Sequence, residues 1–257
     1  MIYAFKDKDY EETMKEHILN GIDFIDKGFL RRGYHIYIAK RLHLLNLKEV
    51  SPFDVKKAIA IAYIYHDIGK ALQPFQENIL RGEGARSHEI FSSIIMFKNF
   101  REQSFFRCKA LFNACLIAVL LHMSASRGNL ISETRLFMKR FSMDAKAGRL
   151  YIDESSVDEL NRIIGEAWHK LDLGDPVPIV RERPLIISQR DIEEATIALL
   201  QLTYGKSPSY YQTMFSAISI LHPLLLADCY AASIARKTEE RRPFVDEFIE
   251  AFIPDVE

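Results

Sequence analysis

The chain has 257 residues, 48% hydrophobic and 27% charged, enough to bury a sizeable core as one large or two small globular domains. Thirty-four Lys and Arg against 35 Asp and Glu leave a net charge of −1, so no global basic field advertises nucleic acid and any such contact has to be local. Cys108, Cys115 and Cys229 form an odd set with two members inside apolar runs, which suits buried reduced thiols and speaks against a zinc-thiolate site.

The N-terminus opens Met1-Ile-Tyr-Ala-Phe-Lys-Asp, too charged for a signal peptide. No run reaches the ~18 apolar residues that a spanning helix needs, so a cytoplasmic protein with no membrane partner is expected. From about Tyr34 to Leu47, His35, Ile38, Ala39, Leu42 and Leu45 fall on one helical face, which points His35 inward. Ser51-Pro52-Phe53-Asp54 supplies a cap, a first-turn proline and a capping-box acid, and the helix that follows delivers His66 and Asp67 at its end. Gly69 can break that helix, and Gln73-Pro74-Phe75-Gln76 starts a short one. Arg81 to Arg86 reads as a flexible loop, with Ser87 capping a helix that opens on His88 and Glu89.

Phe105 to Leu121 is apolar nearly all round, the mark of a central buried helix, and His122-Met123 terminates it. Arg127-Gly128-Asn129 is a turn, and Ser155-Ser156-Val157-Asp158-Glu159 opens a helix to about Leu171. Asp172 to Ser188 carries three prolines among β-branched residues and reads as a loop that can hold a small β-hairpin near 176–188. Segments 191–204, 208–236 and 243–252 complete an all-α body, with Pro223 bending or breaking the longest helix.

The His66-Asp67 pair offers a neutral nitrogen beside a carboxylate that can bind one ion or bridge two, which suits a divalent metal that activates water. A lone dipeptide of this kind is weak. It gains weight from His35, His88, His122 and Asp228, each set in helix-like apolar spacing. Asp228 lies among Leu224, Leu225, Leu226, Ala231 and Ala232, where an unpaired carboxylate is costly to bury, so a metal or cationic partner is required. His17, His43, His169 and His222 lack such company and are expected to be structural or exposed.

Beyond the single residues, His66-Asp67-Ile-Gly69-Lys70 with its trailing Phe75-Gln76, then Ser87-His88-Glu89, then Leu225-Leu226-Ala227-Asp228 through Ser233, resemble in order the motifs of the HD-domain nuclease of type I CRISPR interference systems. The resemblance spans essentially a whole stand-alone HD subunit, residues 1–257 as a single domain, and implies an HD-domain helical bundle. It implies one divalent ion on His35, His66, Asp67 and Asp228 and a second on Asp67, His88 and His122, with Asp67 as the catalytic bridge. Mn²⁺, Ni²⁺, Co²⁺, Fe²⁺ and Mg²⁺ are all candidates, at one or two ions per chain. Lys70 would contact phosphate or act as a general acid, and Arg86 and Arg127 would join a basic rim for substrate. The family usually has a His-His pair where this chain has His122-Met123.

On this resemblance the chain is a metal-dependent nuclease of DNA, preferentially single-stranded, acting in antiviral defence. It has no G-x-x-x-x-G-K-[ST] motif, so strand separation falls to a partner helicase and a guide-RNA surveillance complex. Two rivals share the same residues. One is an HD phosphohydrolase of nucleotides or cyclic nucleotides, which a closed pocket would favour; the other is a catalytically weak HD docking module, which Met123 would favour.

Overall fold

The computed structural model of the chain describes residues 1–101, 105–123, 141, 143–204, 208–235 and 243–252. It is an all-α bundle with two small antiparallel strand pairs. A hairpin opens the chain, β1 (Tyr3–Lys6) with β2 (Glu11–Thr13), and sequence reasoning did not foresee it. Only seven residues lie in its strands, too few to show a period-2 pattern. Thr13 then caps α1 (Met14–Ile25) through a reciprocal capping box with Glu16.

Helices α2 (Tyr34–Leu44) and α3 (Pro52–His66) follow, the second with the expected box between Ser51 and Asp54. From Ala58 to His66 every residue of α3 is buried, so both of its faces are covered. A 3-10 turn (Ile68–Ala71) leads to α4 (Gln73–Leu80), and α5 (His88–Phe100) and α6 (Lys109–Leu121) pack on each other. Ser87 does not cap α5: its φ of 69° is left-handed and its side chain makes no cap bond.

Asp153, rather than the serines after it, caps α7 (Glu154–Lys170), accepting from the Ser156 amide. The expected hairpin near 176–188 is a longer-range pairing: β3 (Tyr151–Ile152) meets β4 (Leu185–Ile186) across α7. Two-residue strands carry no pattern from which a partner can be chosen. Helices α8 (Gln189–Tyr204), α9 (Pro208–Ala235) and α10 (Pro243–Phe252) complete the chain.

Helix α9 runs unbroken past Pro223. By length and composition its residues 210–235 could cross a membrane, contrary to the sequence expectation. In the bundle it packs along α6, α1 and α3, and it carries Asp228 into the interior. The resulting core, centred on α1, α3, α6 and α9, holds four chain segments together at one end, where the histidines meet.

Candidate metal centre

Five helices deliver the site, α9 bringing Asp228 and the others the histidines and Asp67. His17 projects from the buried face of α1, His66 ends α3, His88 opens α5, and His122 follows α6. Asp67 leaves the helix at φ −107°, ψ 0°, so its carboxylate turns inward while His66 is still held by the helix. Gly69 makes this approach possible. A Cβ there would collide with the His88 carbonyl and with Ser92, and the Gly69 amide donates to Ser92 Oγ at 2.9 Å. Gly21 has a similar role, because any side chain would overlap the Tyr63 hydroxyl, which donates to the His17 carbonyl at 3.0 Å.

The ligand-type atoms fall into two groups sharing one carboxylate. His17, His66, Asp67 and Asp228 form the first, and Asp67, His88 and His122 the second. His17 Nε2 lies 3.3 Å from Asp67 Oδ2, 3.3 Å from Asp228 Oδ1 and 3.3 Å from His66 Nε2. His66 Nε2 is 3.6 Å from the same two oxygens. On the other side, Asp67 Oδ1 is 2.7 Å from His88 Nε2 and 3.7 Å from His122 Nε2, and the two imidazole nitrogens are 3.3 Å apart.

The other nitrogen of each ring decides what these atoms are. His66 Nδ1 meets the Tyr63 carbonyl, His88 Nδ1 the Ala85 carbonyl at 2.7 Å, and His122 Nδ1 the Val119 carbonyl at 2.6 Å. His17 Nδ1 meets Glu12 Oε1 at 2.7 Å. Each of these oxygens only accepts, so every Nδ1 carries its hydrogen and, in the neutral ring, every Nε2 presents a lone pair. Two pairs of such nitrogens 3.3 Å apart repel unless a cation or a proton lies between them. A donor set of four imidazoles and two carboxylates, each imidazole oriented from behind, fits borderline divalent ions.

The electrostatics agree. Burial alone would raise the Asp67 carboxyl, but the Lys70 ammonium, 2.6 Å from Oδ2, together with His66 and His88 holds it well below the usual range. Asp228 is likewise pushed up by burial and held low by His17 and His66. Burial dominates at His66, whose imidazole is shifted down. At His17 burial is outweighed by Glu12, Asp228 and Asp67, which raise it to about 10. Lys70 is raised by the same carboxylates against the cost of its burial, so it stays an ammonium.

In the metal-free chain, then, a proton on His17 Nε2 takes the place of a cation. A divalent ion must displace it, so ion binding at pH 7 is expected to release at least one proton. Apparent affinity should rise about tenfold per pH unit between pH 6 and 8. Titration calorimetry in buffers of different ionisation heat counts the protons, and a pH-independent affinity would contradict this protonation scheme. The same shift gives the metal-free fold a stabilising contribution that is full below 6.5 and lost as pH rises through about 10.

His35 is not part of the cluster. It is half-buried on α2, its Nδ1 has no hydrogen-bond partner among the described residues, and burial and the Lys56 ammonium lower its basicity. Lys56 lies one turn into α3, ten residues from His66, or roughly 15 Å along the helix. His35 therefore packs at the wrong end of α3. His17 occupies the place expected for it, although it was expected to be structural or exposed. The signal was there: Met14, His17, Ile18, Gly21, Ile22 and Ile25 follow the spacing of a buried helical stripe, and all are buried.

His66, Asp67, His88, His122 and Asp228 come together as expected. Lys70 reaches the site, but as a partner of Asp67 Oδ2. Arg86 is exposed in the loop just ahead of His88. Arg127 lies outside the described residues. Met123 is half-buried next to His122. Glu12, which no sequence pattern singled out, is buried behind His17. Comparison with protein-family profiles and with curated proteins finds no match for the chain. The arrangement is a buried His/Asp group able to hold metal ions, as in a metal-dependent hydrolase.

Proposed function

We propose that the chain is a metal-dependent phosphodiesterase of the HD type that hydrolyses DNA, preferentially single-stranded, as the nuclease subunit of a CRISPR interference system. The observation that carries this reading is the convergence of four imidazole Nε2 atoms on the two oxygens of one buried carboxylate, Asp67. Divalent ions held there would supply Lewis-acid activation of water and charge neutralisation at a phosphate.

The protein's own groups do the rest. Asp67 ties the two halves, so the ligands of each are fixed relative to the other. Lys70 keeps its proton and is 17% exposed, so it can meet a phosphate oxygen without leaving Asp67. Asp228 is 21% exposed, whereas His66 and His122 are at 0% and Asp67 at 1%. The cluster is thus recessed and opens on the Asp228–Lys70 side. A recessed site suits a flexible single strand, whose phosphate can enter, over a duplex, whose backbone is held at the helix radius. Arg86, exposed ahead of His88, would be free to contact the flanking backbone.

The test is a panel of single-stranded DNA, duplex DNA, RNA, dNTPs and cyclic nucleotides with each of Mg²⁺, Mn²⁺, Ni²⁺, Co²⁺ and Fe²⁺. Single-stranded DNA should be cut much faster than duplex. Binding should weaken steeply with salt despite the near-neutral chain. Duplex should be degraded only when a helicase partner and ATP open it. Efficient hydrolysis of dNTPs or cyclic nucleotides with single-stranded DNA untouched would replace the nuclease reading with a nucleotide phosphohydrolase.

A further inference from the structure

Three of the four imidazoles are held in the same way. His66, His88 and His122 each give Nδ1–H to the carbonyl three residues upstream in their own segment, from Tyr63, Ala85 and Val119. His17 differs. Its Nδ1–H goes to a carboxylate, Glu12 Oε1, carried by β2 outside the helix that bears His17. Glu12 is 2% exposed, and among the described residues no Lys or Arg forms an ion pair with it. A carboxylate buried at such cost is expected to neutralise something nearby.

The hairpin that carries Glu12 is also fastened, through its other strand, to the turn that bears Lys70. Phe5 of β1 lies across from Glu12. The Gln76 side chain accepts from the Tyr3 amide at 3.0 Å and donates to the Tyr3 carbonyl at 2.9 Å and to the Lys70 carbonyl at 2.8 Å. One amide side chain therefore locks the hairpin to the turn that follows His66 and Asp67. The hairpin contributes no ligand atom, yet its register places Glu12 behind a ligand.

We infer that Glu12 is a positioning residue of the four-ligand half of the centre: it fixes the ring of His17 and makes Nε2 a more basic donor, so the ion held there depends on the N-terminal hairpin. The inference rests on the metal reading above. A carboxylate behind an imidazole orients it and strengthens its donation, and loss of such a partner typically weakens metal binding 10–100-fold. The half formed by Asp67, His88 and His122 has no link to Glu12 except through Asp67, and its affinity should stay within about threefold.

The experiment is chelator-competed titration of the full chain with Mn²⁺ and with Co²⁺, comparing wild type, Glu12→Gln and Gln76→Ala. Glu12→Gln keeps the shape and an acceptor oxygen but removes the charge. It should weaken one ion 10–100-fold and leave the other unchanged. Histidine ring NMR signals under Zn²⁺ should show His17 and His66 as the rings whose half-saturation moves. Gln76→Ala, which frees the hairpin from the Lys70 turn and removes no ligand atom, should weaken the same ion by a few-fold and decides the matter if Glu12→Gln does not fold. Unchanged affinity in both variants, or equal loss of both ions, overturns the role of Glu12. If wild type binds no divalent ion at all, it is the metal reading that fails.

Discussion

Asp67→Ala is expected to release every bound ion and to leave phosphodiesterase activity at background on all substrates. Asp67 contributes Oδ2 to the half with His17, His66 and Asp228 and Oδ1 to the half with His88 and His122. Among the described residues no other carboxylate reaches both. Asp228, the only other acid in the cluster, is confined to the first half. The substitution also strips Lys70 of its 2.6 Å partner, and breaking a buried ion pair from one side costs about 3–5 kcal/mol when the orphan cannot escape. Lys70 is 17% exposed and has a flexible stem, so it can turn toward water and the loss should fall below that range. Asp67→Asn separates the two effects, because it keeps an acceptor and the side-chain volume while removing the charge. Metal analysis with thermal melting checks both variants. Near-normal ion content in the Asp67→Ala protein would sink the bridging role.

Much of the fold was readable because its signals are local. Ser51, Pro52 and Asp54 announce the start of α3, and the uninterrupted apolar run 111–121 announces a helix with no solvent face. The elements that escaped are those whose partners lie far off. Strand β4 pairs with residues more than thirty positions upstream, and the N-terminal hairpin is too short to show a period. The same divide runs through the site. Residues in a compact motif, His66 with Asp67 or His88 with Glu89, could be found from neighbours alone. His17 could not be separated from His35, because each sits at an inward-facing position of an amphipathic helix and only the packing that brings His17 beside His66 and His35 near Lys56 distinguishes them. Glu12 was less accessible still, since its role depends on the register of a strand against a helix, which no spacing rule encodes. The resemblance to HD-domain nucleases implies His35 beside His66, Asp67 and Asp228, whereas the group that could hold an ion has His17 of α1 in that place.

The sharpest consequence is a contrast between those two histidines. His17→Ala should abolish tight binding at the four-ligand half and reduce activity by more than the 10–100-fold typical of an orienting residue, since it removes a donor rather than its support. It also leaves the Glu12 carboxylate buried without its hydrogen-bond partner, so the melting temperature of the metal-free protein should fall as well. His35→Ala should leave both ions and the rate unchanged. Its ring is half-buried with an Nδ1 that finds no partner among the described residues, and it lies beside Lys56, so removing it costs some packing while relieving an unsatisfied polar atom. The net stability change should lie within about 1 kcal/mol, the range of a substitution away from the core's main contacts. Equilibrium metal titration and cleavage of single-stranded DNA on both purified variants decide between the helices. A His35→Ala protein that loses an ion while the His17→Ala protein keeps both would return the ligand to α2 and require α1 and α2 to exchange places at the end of α3.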